Sequence, residues 1–324
     1  MLIKLAHMIA VAVFAIAIPA SAYSESYPSR PIRLIVPFSA GVSSDFMART
    51  VGQALTDIYK RQVVVDNRPG AGGLIGGTLV ATASPDGYTL GLASTSHVVG
   101  PLLQKKPPYR PIEDFTPVAQ LASVISVLVA APNVPAKTVQ ELVALAKAKP
   151  GALNYASIGA GTAAHISAEV FNRVAGINVV HVPFKTAADV FAAMVTNQVH
   201  YLVFVMPAVT PMLKDGRLRA LAVTGAARST ALPDVPTVSE AGLPAAEVDT
   251  IFGIVAPAAV PKGIVAKLHQ DIVGILRRPE TAQRFDTQGA VPTVNKTPED
   301  YGKKLRADYE RYRKLIQEIG LEPQ

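Results

Sequence analysis

The sequence predicts an α/β protein built as two lobes, and three observations predict it. Short apolar runs rich in Val, Ile and Leu alternate with amphipathic segments, the pattern of buried, mostly parallel strands joined by helical crossovers. The chain has 324 residues, and single hydrophobic cores stop growing at roughly 250–300. Two strand-loop-helix units of like chemistry stand far apart, one near residue 40 and one near residue 160.

Taken in order, Met1-Leu2-Ile3-Lys4 precedes an apolar run from Met8 to Ile18 and then Pro19-Ala20-Ser21-Ala22. That is a charged start, an apolar middle and a small-residue cleavage site, so residues 1–22 read as an export signal cut after Ala22. The run is shorter than the roughly 20 apolar residues that cross a bilayer. Strands are expected over 32–37, 63–66, 88–93, 127–131, 179–183, 201–205 and 218–224, each rich in β-branched residues. Met47, Val51, Leu55 and Ile58 recur at helical spacing after the first strand, and Ile166, Val170, Phe171 and Val174 do so before Gly176. Thr138-Val139-Gln140-Glu141 fits a capping box, and Thr297-Pro298-Glu299-Asp300 offers a cap, a first-turn proline and early acids. Tyr301, Leu305, Tyr309, Tyr312, Ile316 and Ile319 then predict a last helix with one buried face. Two extended, proline-bounded stretches, 118–132 and 247–257, lie where one lobe would end and the other begin. They place 23–124 with 254–324 in the first lobe and 125–253 in the second.

Composition narrows the function classes. The chain has no cysteine, so no disulfide holds the exported form. Its formal charge of +7 is spread over the sequence, densest on the polar side of the last helix, where a solvated face is the reading. Export argues against nucleic acid as a partner. In each strand-loop-helix unit a small, hydroxyl-rich loop opens a helix, and the unpaired N–H groups there with the positive dipole end suit an anion. The first loop supplies Ser39, Ala40, Gly41, Val42, Ser43, Ser44 and Asp45 as candidates; the second supplies Ser157, Gly159, Gly161 and Thr162, with His165 one turn on. Ser94, Ser96 and His97 follow a strand expected to open at the same end. Asp45 with Arg49, and Asp66 with Arg68, read as structural pairs.

The chain also resembles a known family. Tyr27-Pro28-Ser29-Arg30-Pro31-Ile32-Arg33-Leu34-Ile35-Val36-Pro37-Phe38, Asp66-Asn67-Arg68-Pro69-Gly70-Ala71-Gly72-Gly73, Pro85-Asp86-Gly87-Tyr88-Thr89-Leu90, Leu153-Asn154-Tyr155-Ala156-Ser157, His181-Val182-Pro183-Phe184-Lys185, Leu218-Arg219-Ala220-Leu221-Ala222-Val223-Thr224 and Leu232-Pro233-Asp234-Val235-Pro236-Thr237 occur in order. Together they resemble the Bug-type extracytoplasmic solute receptors of tripartite tricarboxylate transport systems. The resemblance implies a periplasmic-binding-protein fold of type II kind, whose two α/β lobes are joined by a two-strand hinge and close on a ligand. It further implies a periplasmic monomer without cofactor or metal, a small organic carboxylate as ligand, and inner-membrane permease subunits as partners. In such relatives glycine-rich loops grip the carboxylate, and the matching positions are the two loops already chosen. Three departures stand out: Val42 where a glycine is common, Phe204-Val205 where Asp-Asn is common, and Ile251 where an aromatic is common.

Other chemistry is weaker. Gly159-Ala160-Gly161-Thr162-Ala163-Ala164 has the glycine spacing of a dinucleotide loop, but the next strand ends in Val182-Pro183-Phe184-Lys185 without the ribose-binding acid. No G-x-S-x-G elbow, cysteine or metal-binding histidine spacing occurs. The rival readings are an exported enzyme of the same architecture using His97 or His165 as a base, and a receptor serving a signalling partner. Phe184 and Phe204 are expected beside the ligand. Phe204 and Val205, of which at most one can face the cleft, predict a ligand with an apolar or aromatic body.

Overall fold

The computed structural model describes residues 27–323 apart from 226, 230, 288, 319, 321 and 322. The expected export signal lies outside them. Among the described residues no helix is long and apolar enough to cross a membrane.

The first sheet starts with β1 (Ile32–Val36), whose Ile32, Leu34, Ile35 and Val36 are buried on both faces. Such a strand needs cover on each side, and helical crossovers provide it. Helix α1 (Ser43–Tyr59) leads to β2 (Val63–Asn67), and α2 (Leu74–Ala81) leads to β3 (Thr89–Ser94); both strands pair with β1 in parallel. Helix α3 (Thr95–Leu102) begins directly at the end of β3.

Strand β4 (Phe115–Ala130) then runs through both sheets. The second sheet is built from α4 (Val139–Ala148), β5 (Asn154–Ser157), α5 (Ala163–Ala175), β6 (Val180–Pro183), α6 (Ala187–Val195), β7 (Tyr201–Val205), α7 (Met206–Lys214) and β8 (Arg219–Val223). Strand β5 pairs with β6 and β7 in parallel, while β7 and β8 flank the far half of β4 antiparallel. The chain returns through β9 (Asp249–Pro257), which lies antiparallel between β3 and β4, and closes with α8 (Lys262–Leu276), α9 (Pro279–Asp286), β10 (Ala290–Pro292) and α10 (Pro298–Glu318).

The expectation of mostly parallel sheets is corrected by these pairings. A strand that leaves one sheet and enters the next runs against the direction of its new neighbours, and so does the strand that returns. Each sheet therefore holds a parallel set plus antiparallel strands, and β4, which runs through both sheets, and β9, which pairs within the first, are the stretches that the sequence marked as extended.

Three apolar clusters hold the whole together. One fills the second sheet around Val127, Leu128, Tyr155, Tyr201 and Val223, and another lies beneath β1, α1 and α8. The third joins the halves: Ile166 and Val170 of α5 pack with Val98, Val99 and Leu103 of the α3 region and with Tyr301, Tyr312 and Ile316 of α10. Caps set the helix starts as read from sequence. Thr138 Oγ1 accepts the Glu141 N–H at 3.1 Å, and Thr297 Oγ1 accepts the Asp300 N–H at 3.2 Å.

Candidate ligand-binding site

The ends of β1, β2, β3 and β5 bring four loops together. Gly73 sits against Pro37, Phe38 and Ser96; a Cβ on Gly72 would lie 2.6 Å from the Ala160 carbonyl oxygen; and one on Gly161 would lie 3.2 Å from Gly100 Cα. The loops of the first sheet thus abut the 157–162 loop of the second, at the carboxyl ends of strands where α/β sheets bind ligands.

The first loop places an unsatisfied helix start at this seam. Val42 caps α1 with extended φ/ψ of −86° and 165° and no side-chain hydrogen bond, and the first amide with a helical acceptor is Phe46, bonded to the Val42 carbonyl at 3.0 Å. Ser43, Ser44 and Asp45 form a buried first turn, and their N–H groups have no acceptor among the described residues. Valine is compatible here because the positive φ of the loop, 86°, falls on Gly41. Asp45 does not leave its carboxylate for a ligand. One oxygen accepts from Gly41 N–H and Arg49 Nε at 2.9 Å, and the other from Asn67 Nδ2 at 2.9 Å. Burial pushes this carboxyl up, but the hydrogen bonds from Arg49, Gly41 and Asn67 outweigh it and hold the group below its ordinary value. Asp45 is a brace for the loop.

Asn67 was missed by sequence reasoning. It ends β2, donates to both Phe38 O and Asp45 Oδ1, and accepts from Arg49. The signal was the Asp66-Asn67-Arg68 triplet at a strand end, where an amide that both donates and accepts can tie two loops.

In the second loop, Ser157 is fully buried and its Oγ bridges the N–H and carbonyl of Gly159, each at 3.1 Å. Thr162 Oγ1 donates to Gly159 O at 2.7 Å and accepts the His165 N–H at 3.4 Å, capping α5. Gly161 N–H donates to His165 Nδ1 at 3.3 Å. With these bonds made, the N–H groups of Ala163 and Ala164 are the first-turn donors of α5 left over, and they were not named from sequence.

The remaining candidates divide. Ser94 and Ser96 are buried, share a 2.9 Å hydrogen bond, and pack under the Gly70–Gly73 turn. Ser39, Ala40 and Gly41 are exposed at the loop tip. Phe184 is half-buried on the second core, with its N–H on Ser157 O at 2.9 Å. Two candidates are corrected. His97 lies inside α3, with Nε2 3.0 Å from Pro111 O and its ring between Tyr109 and Phe115, so it is a structural residue. Phe204 is 6% exposed and packs edge-on against Phe191 of α6, within the second core. Val205, half-buried at the start of α7, touches both the first and second cores.

Ser157 Oγ also lies 2.7 Å from His181 Nε2, the spacing of a nucleophile and its base. The hydroxyl is fully buried, however, and among the described residues no carboxylate orients His181. A recess of about 560 Å³ lies elsewhere between the halves, lined by Ser123, Ile125, Met206, Arg228 and Gly289 among others and by none of the candidates.

Residues 47–321 match the model of the tripartite tricarboxylate transporter family receptors. The chain belongs to that family. Among solved structures similar to it, the periplasmic binding protein BugD is 31% identical over 92% of this chain and all of its own, with a TM-score of 0.85. A protein of R. palustris solved with adipate is 31% identical with the same coverage and a TM-score of 0.86. MatC from Rhodopseudomonas palustris, solved with bound malate, is 30% identical over 90% of this chain and all of its own, with a TM-score of 0.83. The chain thus has the fold of periplasmic binding proteins and is a solute-binding receptor of the tripartite tricarboxylate family.

Proposed function

We propose that this receptor captures a small organic carboxylate between the starts of α1 and α5 in the periplasm and hands it to the membrane subunits of a tripartite-type transporter. The observation that carries the reading is the uncapped first turn of α1, whose three N–H groups on buried residues have no acceptor among the described residues, with two more such donors in the first turn of α5. Backbone donors and a helix dipole hold a carboxylate without a cationic side chain. The adipate and malate seen in solved family members are carboxylates with small bodies. The lobes in this reading are residues up to about 125 with those from Asp249 onward, and the stretch between, because β4 changes partners at that point and β9 pairs wholly within the first sheet. With Phe204 packed on Phe191 in the second core, Val205 is the remaining basis for an apolar ligand body.

Calorimetric titration of the exported form with adipate, malate, monocarboxylates and amino acids tests this. A carboxylate should bind and its neutral amide should not, because an amide N–H pointed at backbone donors replaces an acceptor with a clash. Equal binding of acid and amide, or none by any acid, rejects it.

A further inference from the structure

We propose that His165 and His181 are positioning residues for the second half of this site, two neutral imidazoles that fix the 157–162 loop and so decide which of its amides face the carboxylate. The inference rests on the proposed binding of a carboxylate at these helix starts. Its geometry stands on its own.

Gly161 offers a backbone N–H to His165 Nδ1 at 3.3 Å. A backbone amide can only donate, so Nδ1 must be the unprotonated nitrogen, and the ring proton sits on Nε2. An imidazolium there would set N–H against N–H. His181 reaches Ser157 Oγ at 2.7 Å from β6, and that hydroxyl is already the bridge across Gly159. The two rings pack on each other with centroids 4.4 Å apart, and Tyr155 of β5 stacks on His181 at 4.8 Å and on His165 at 6.4 Å. Tyr155 in turn donates to Glu169 of α5 and lies 5.8 Å from Tyr201 of β7. No carboxylate bonds to either imidazole among the described residues. Burial, then the neighbouring His181, pushes His165 down to about 3, and burial pushes His181 down to about 4, so both rings are neutral at the pH of the periplasm.

The consequence for binding is a sorting of donors. Gly161 and Gly159 have their N–H groups turned onto His165 and Ser157, at φ of 77° and 117°. Ala163 and Ala164, whose amides no side chain among the described residues takes, are left for the ligand. Without the two histidines Gly159 keeps its bonds to Ser157 and Thr162, but the Gly161 N–H loses its acceptor and the Ser157 hydroxyl its anchor, so the positive-φ Gly161 is free to turn.

Nitrogen-15 NMR of the histidine rings in the exported form at about pH 7, without ligand, reads the tautomer directly. His165 is expected neutral with its proton on Nε2; a proton on Nδ1 or a charged ring overturns the proposal. Hydrogen exchange at the Gly161 amide should quicken about tenfold in His165→Leu and stay near wild type in His165→Asn, whose side chain keeps an acceptor at that position. Adipate titrations follow the same two variants, with affinity about tenfold weaker in His165→Leu and restored in His165→Asn. Exchange that does not respond to the leucine variant, or affinity that is the same in all three proteins, refutes the positioning role. Failure of the wild type to bind adipate or any other carboxylate refutes the receptor reading instead, while the tautomer and exchange results still decide whether the histidines hold the loop.

Discussion

His97, His165 and His181 are histidines kept neutral by burial, at about 4, about 3 and about 4. Each folded value lies below the roughly 6.5 of an unfolded histidine, so the unfolded chain takes up protons that the folded chain refuses. Their contribution is complete above about pH 6.5 and is lost as the pH falls toward 4, with His97 and His165 each costing up to about 2 kcal/mol at pH 5 and the less buried, solvent-screened His181 less. Urea midpoints should fall between pH 7 and pH 5, and less so in His97→Phe; equal midpoints contradict the burial. Phe204 makes a second residue-scale prediction. Phe204→Asn should cost about 3 kcal/mol or more in stability, by loss of packing on Phe191, and leave the order of preferred ligands unchanged. A changed ligand order would return Phe204 to the cleft. The two loops were legible at this scale because glycines, hydroxyls and a following apolar period mark a helix start. His97 and Phe204 were misplaced because strand alternation says that faces differ but not which face meets solvent, and because Thr95–Leu102 reads as a loop until its helix is seen.

At the scale of elements, β4 and β9 carry the architecture. Their extended, proline-bounded sequences were readable, but their antiparallel sense was not, since direction depends on partners far away in the chain. The two pair along most of β9, and Gly253 marks their tightest point: a Cβ there would run into the Tyr301 hydroxyl and the Ala119 carbonyl oxygen. The Tyr301 side chain is wholly buried, its hydroxyl has no hydrogen-bond partner among the described residues, and it lies against the Gly253 backbone, so α10 packs tightly on this pair of strands. Gly253→Ala should therefore lower stability by about 1–3 kcal/mol in chemical denaturation. A neutral result would show that α10 yields. The shared apolar cluster of α3, α5 and α10 was not legible, because Ile166 and Val170 show only that α5 has a buried face.

For the whole molecule, the long strand β4 runs from one sheet into the other, and the loops at the strand ends of the two sheets abut where Gly72 meets Ala160 and Gly161 meets Gly100. Burial of Ile166 and Val170 against α3 and α10 joins the two halves along one edge. The central claim is that the first turns of α1 and α5 receive a carboxylate. Amide chemical-shift mapping of the exported form, titrated with the tightest carboxylate found by calorimetry, tests it most directly. The account predicts that the amide protons of Ser43, Ser44, Asp45, Ala163 and Ala164 move downfield together and exchange more slowly at saturation. Changes confined to the recess around Met206, Arg228 and Gly289, with those five amides unmoved, would contradict it.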